Sequence, residues 1–112
     1  FECFVLFYIS ELDGGRSLSN RRKFGPWTLH RHWPGAGSCS MGLLVHCSIE
    51  SQIKRIQWTN RSGAVDIITP IKQTIRVIFT HLPHDDDELV HVLADIRTLI
   101  ARRPYGSVFF IT

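Results

Sequence analysis

Two residues able to do chemistry stand where strand-forming runs stop: Glu11, after FVLFYIS, and His81, after TIRVIFT. A carboxylate can hold Mg²⁺ through oxygen, and an imidazole can hydrogen-bond a phosphate oxygen or carry a proton near neutral pH. Brought to one rim, such a pair suits metal-assisted attack on a phosphodiester. Residues 74–80 alternate as a strand does, so Thr80 and His81 arrive at its end, and Pro83, which has no N–H for a ladder, stops the pairing directly afterwards. His84 and Asp85, Asp86 and Asp87 follow and read as a polar helix entrance.

The remaining elements must position these groups. FVLFYI, residues 4–9, is apolar on both alternating faces, which predicts a central strand covered on both sides. From Asp13 to Pro26 the composition turns to Gly, Ser, Asn and Arg without a sustained period, which predicts a surface loop carrying Arg16, Arg21, Arg22 and Lys23. WTLHRHW alternates as half of a hairpin, PGAGS supplies a turn, and MGLLVHCSI is a second strand with Leu43, Leu44 and Val45 buried. QIKRIQWTN then sets Ile56 and Trp58 on one face, Asn60 to Gly63 turn the chain into AVDIIT, and a meander results. In TIRVIFT, Ile75, Val77 and Phe79 share one face and Thr74, Arg76, Ile78 and Thr80 the other.

The period changes at DDDELVHVLADIRTLIARR, where Leu89, Val92, Leu93, Ile96, Leu99 and Ile100 recur at three- and four-residue steps. Asp85 with Glu88 fits a capping-box start, and Arg102 and Arg103 sit at the negative end before Pro104. SVFFIT after this helix predicts a strand lying parallel to residues 74–80 in one sheet.

The chain has 112 residues, 44% hydrophobic and 21% charged, a globular composition with room for one domain. A formal charge of +3 and a pI near 9.0 are compatible with a polyanionic partner but too slight to demonstrate one. Cys3, Cys39 and Cys47 cannot pair completely and match no usual zinc spacing, which points to reduced thiols and an intracellular setting. No apolar run approaches the roughly 20 residues that span a bilayer, so no membrane partner is expected. The absence of an initial Met and the stop inside SVFFIT read as a segment truncated at both ends. His30 and His32 share a strand face, and His81 and His84 are close in sequence, yet no compact set of three or four metal ligands emerges. Trp27, Trp33 and Trp58 have the placement of core aromatics more than of base-stacking platforms.

Taken in order, YISELD, MGLLVHCSI, IRVIFTHLPH, the helix and SVFFIT resemble the endonuclease/exonuclease/phosphatase superfamily, the DNase I-like fold, most closely its retrotransposon-type endonucleases. The resemblance implies a partial DNase I-like α/β sandwich over residues 1–112, mostly antiparallel strands with one long helix near the C-terminus. It implies a hydrolase, a nuclease acting with Mg²⁺ or Mn²⁺ on nucleic acid, DNA in this branch, at an intracellular location that includes the nucleus. Glu11 matches the family's metal-binding glutamate and His81 the position of its active-site Tyr or His, which makes both the implied catalytic residues. The charges of Arg16, Arg21, Arg22 and Lys23 are read from composition, not from the resemblance, as either a solvated loop or contacts to a phosphate backbone. The family's Gly-Asp-Phe-Asn motif and its Asp-His pair have no counterpart here, so the segment alone is expected to be inactive and to need the remainder of the domain. The alternative is a noncatalytic nucleic-acid-binding module using those four residues with Lys54 and Arg55. A third reading is a decaying reading frame with no independent function. A sheet lacking strands would also leave FVLFYI and SVFFIT as open edges, from which poor solubility is expected.

Overall fold

The computed structural model describes residues 6–12, 21–33, 40–83, 85–104 and 106–111, and the chain divides into two compact units, Phe1–Ser51 and Gln52–Thr112. Each unit carries a four-stranded sheet, and the fold is mixed α/β, mostly strand, with one long helix near the C-terminus.

The first unit contains β1 (Leu6–Leu12), β2 (Arg21–Phe24), β3 (Trp27–His32), β4 (Ser40–His46) and a single-turn helix α1 (Cys47–Glu50). Its sheet runs in the order β1-β4-β3-β2, with every neighbouring pair antiparallel. Two sequence expectations are corrected here. Arg21, Arg22 and Lys23 lie on a strand, not in a loop: Gly25 takes φ +59° and Pro26 has a ring-fixed φ, the combination that reverses a two-residue hairpin and pairs Phe24 with Trp27. All four β2 residues are exposed, so there is no apolar alternation to announce the strand. Residues 13–20, expected as loop, and the PGAGS segment, expected as a turn, lie outside the described residues.

The second correction concerns β1, which pairs with β4 alone among the described residues and is an edge, not a centre. Phe7 is 42% exposed and meets Trp27 at a ring-centroid distance of 5.6 Å, while Trp27 packs edge-on against His46 at 4.9 Å. An apolar run states what a strand would prefer to bury; whether a neighbour exists to bury it depends on topology. On the opposite face, Met41, Leu43 and Val45 of β4 form the buried row. Tyr8 joins that row by donating its hydroxyl to Met41 Sδ at 3.4 Å, and burial pushes the phenol up to about 12.

The second unit contains β5 (Ile53–Trp58), β6 (Ser62–Ile68), β7 (Thr74–Thr80), α2 (Asp86–Ala101) and β8 (Val108–Ile111), with sheet order β5-β6-β7-β8. β5, β6 and β7 form the expected antiparallel meander, and β8 returns parallel to β7 after the α2 crossover. Between β6 and β7, Thr69 N–H bonds Gln73 O at 2.9 Å and Lys72 adopts φ +66°, a left-handed position that glycine usually fills.

Helix α2 begins at Asp85, whose carboxylate accepts the Asp87 N–H at 3.0 Å. Glu88 pairs with Arg61 of the β5–β6 turn. Val92, Ile96 and Leu99 pack on Ala64 and Ile78, so the sheet face beneath the helix is the one that holds Arg76 and Ile78. Leu93, expected in the apolar stripe, is 54% exposed: it lies one position past Val92, beyond the arc that the sheet covers. At the far end Arg103 donates to Ile100 O at 2.8 Å and lies over the Phe109 ring at 5.1 Å, tying the helix terminus to β8.

Candidate functional site

Glu11 lies on β1 of the first unit, one residue before the strand ends. Between the pairs Ile9 with Gly42 and Leu12 with Ser40, β1 advances three residues against two on β4, a bulge that spans Ser10 and Glu11. His81 lies in the second unit, exposed, directly after β7. Ser62 Oγ and Thr80 Oγ1 are hydrogen-bonded at 2.9 Å across β6 and β7 just behind it. Arg16 falls outside the described residues, as do Cys3, Cys39 and His84. Lys54 and Arg55 are exposed on β5.

A divalent cation of the Mg²⁺ type wants near-octahedral oxygen ligation, about six ligands including waters. Among the described residues no three His, Cys, Asp or Glu side chains gather to hold a metal ion, and His30 and His32 belong to no such group. Mg²⁺ held by one or two carboxylates and its own waters, as expected at Glu11, needs no such gathering.

A different cluster is assembled in the first unit. Cross-strand pairs put Arg21 beside His30 and Lys23 beside Thr28 on one face of the β2–β3 hairpin. Arg22 and Phe24 take the other face, where the Arg22 guanidinium lies 4.9 Å from the Phe24 ring centre. Arg21, Lys23 and Thr28 line an open groove of about 330 Å³. Helix α1, anchored by Cys47 N–H to Pro26 O at 2.8 Å, places the Glu50 carboxylate at this cluster. Arg21 Nη2 donates to Glu50 Oε1 at 3.1 Å and Thr28 Oγ1 donates to Glu50 Oε2 at 3.3 Å. His30 Nε2 stands 3.9 Å from Oε1, buried and without a hydrogen bond. The basic pair was legible in the sequence; Thr28, His30 and Glu50 were not, because only the hairpin and the turn of α1 bring them together. The one local signal was a carboxylate closing the polar turn after a buried strand.

The electrostatics follow from this packing. The Arg21 hydrogen bond, with help from Thr28 and against partial burial, holds the Glu50 carboxyl below its usual range. Burial, then the nearby Arg21 charge, lowers the His30 imidazole despite Glu50, and burial lowers His32. For all three groups the unfolded chain takes up protons at a higher pH than the folded one, so their contribution to stability is complete above the ordinary pKa and is lost as pH falls through the folded value. The melting temperature should therefore drop on acidification below about 6.5 and drop further below the carboxylate range. In a series of thermal melts by circular dichroism from pH 8 to pH 3, a His30→Asn, His32→Asn double variant should flatten the first step and leave the second.

The second unit has its own charged cluster, closed to solvent. Arg76 and Asp66 are paired across β7 and β6, with Nε to Oδ1 at 2.6 Å and Nη2 to Oδ2 at 2.8 Å, and Arg76 Nη1 donates to Leu99 O at 2.7 Å. Both side chains are at most 2% exposed, so this cluster joins sheet to helix and offers nothing to a ligand. No family model, curated protein or solved structure matches the chain.

Proposed function

We propose that the chain is a portion of a DNase I-like α/β sandwich of the endonuclease/exonuclease/phosphatase superfamily, of the retrotransposon endonuclease type. In this reading the intact domain is an intracellular hydrolase that cuts DNA with Mg²⁺ or Mn²⁺. The observation that carries it is the order of elements in the second unit: an antiparallel meander ends at His81, α2 crosses over, and β8 returns parallel to β7. The second sheet also buries Ala64 and Ile78 under α2. Glu11, next to the end of β1, would supply an oxygen ligand to the metal. His81, exposed at a strand end, would meet a phosphate oxygen.

One carboxylate and one imidazole do not make the ligand set, so the segment alone does not cut. Nicking of supercoiled plasmid tests this. The purified 112-residue chain should leave the plasmid intact with Mg²⁺ present, and a chain extended by its flanking coding sequence should nick it. In the extended chain, His81→Ala should lower the rate by about 10² to 10⁴, the usual worth of acid-base assistance, and Glu11→Gln should abolish the metal-dependent nicking. Nicking by the extended chain that ignores both substitutions would overturn the reading.

The groove on the β2–β3 hairpin favours a second reading, a noncatalytic nucleic-acid-binding module. Salt-sensitive binding of duplex DNA that survives loss of both Glu11 and His81 would select it.

A further inference from the structure

We propose that the groove on the β2–β3 hairpin, beside the Glu50 carboxylate of α1, is a binding site for one backbone phosphate of a nucleic acid, and that the Glu50 carboxylate is a resident stand-in which that phosphate displaces. The inference rests on the nucleic-acid reading above and concerns contact only, not cleavage.

Three groups converge on Glu50: the Arg21 guanidinium at 3.1 Å, the Thr28 hydroxyl at 3.3 Å and the His30 Nε2 at 3.9 Å. This is a donor set built for an oxyanion, combining a fork of N–H groups, a hydroxyl and an imidazole. The carboxylate that fills it uses it incompletely. His30 Nε2 is buried with no hydrogen bond, although it faces Oε1 across a gap too long for one. A phosphate is larger than a carboxylate and presents its oxygens in a tetrahedron, so it can engage the guanidinium, the hydroxyl and the imidazole at the same time. The groove leaves room beside the cluster, with about 330 Å³ between Arg21, Lys23 and Thr28, and Lys23 adds a second cation along its wall.

Displacement is mechanically simple. Glu50 is the last residue of a helix of four residues, next to the exposed Ser51, so a rotamer change moves its carboxylate without disturbing the sheet. The charge change gives the direction: departure of the Glu50 carboxylate removes one negative charge from beside Arg21 and leaves the site more positive. Among the described residues, the charged or titratable groups facing His30 are Arg21 from β2 and Glu50 from α1; β4 presents Leu43 opposite it, with Tyr8 of β1 beyond. Protonation of His30 adds a third cation to the site, so phosphate binding strengthens with acidification more than plain screening of the chain would give.

The test measures binding of a fluorescein-labelled 12-base-pair DNA duplex to the full 112-residue chain by anisotropy, with inorganic phosphate titrated separately. Glu50→Gln should tighten duplex binding several-fold. Thr28→Val, which changes no charge, and Lys23→Ala should each weaken it several-fold, while Arg97→Ala, the same charge loss at an exposed position of α2, should change it less than twofold. Inorganic phosphate at millimolar concentration should compete against the wild type more weakly than against Glu50→Gln. Equal losses for Lys23→Ala and Arg97→Ala, or unchanged binding in both Glu50→Gln and Thr28→Val, would overturn the groove and leave the nuclease reading to the nicking assay. Tight capture of free phosphate without duplex binding would assign the same donors to a small anion and overturn the nucleic-acid partner.

Discussion

Asp66→Ala should cost about 3–5 kcal/mol of unfolding free energy, because it leaves the Arg76 guanidinium buried and uncompensated. The Arg76 side chain is 1% exposed, and two of its three hydrogen bonds end on that one carboxylate. The third, to Leu99 O, satisfies Nη1 but does not neutralise the charge. Arg76→Met should lose a similar amount by stranding Asp66, since an isolated carboxylate among Ala64, Ile78 and Leu99 has no water to turn to. An Asp66→Leu, Arg76→Met double variant should be less destabilised than either single change, because the desolvation cost disappears together with the attraction that offset it. Urea unfolding followed by circular dichroism gives the three values and their coupling. Single-variant losses within about 1 kcal/mol of zero would show that the pair is not buried as described.

Gly63→Ala is the second large effect. Gly63 lies directly across from Trp58, and a methyl group built there would come within 2.6 Å of Trp58 Cζ3 and 2.7 Å of Cε3. Carbon atoms in contact sit near 3.5–4.0 Å, so either the indole rotates or the β5–β6 pairing opens. Overpacking of this kind costs about 1–3 kcal/mol. The indole should report it directly through a change in fluorescence. Trp58→Leu in the same chain should recover most of the loss, although it is destabilising alone, and a failure to recover would place the cause in the backbone and not in the ring.

What the sequence made legible was what repeats. The α2 stripe of Val92, Ile96 and Leu99 follows the helical period, and the alternation in residues 74–80 fixed β7 and the faces of its side chains. The parallel return of β8 followed from one rule, that a strand after a crossover helix rejoins its sheet. What stayed hidden depended on partners. β2 has four exposed residues and is a strand only because Gly25 and Pro26 fold it onto β3. The Asp66–Arg76 pair left a faint trace, one acid inside AVDII and one base inside TIRVIF, but reading it needs the register that sets them opposite each other. The same limit applies to the groove: Arg21 and Lys23 were visible as charge, and Glu50 became their partner only through the placement of α1.

The bond from Arg76 to the Leu99 carbonyl couples the sheet to the helix during assembly. Asp66 and Arg76 are ten residues apart across a hairpin, whereas Leu99 is a further 23 along and enters only when α2 has wound through its last turns. Until then that guanidinium donor keeps its water, and so does the surface of Ala64 and Ile78 around it. Drying of the sheet and arrival of the helix thereby become a single cooperative event, and amides flanking Arg76 should be among the last to exchange with deuterium.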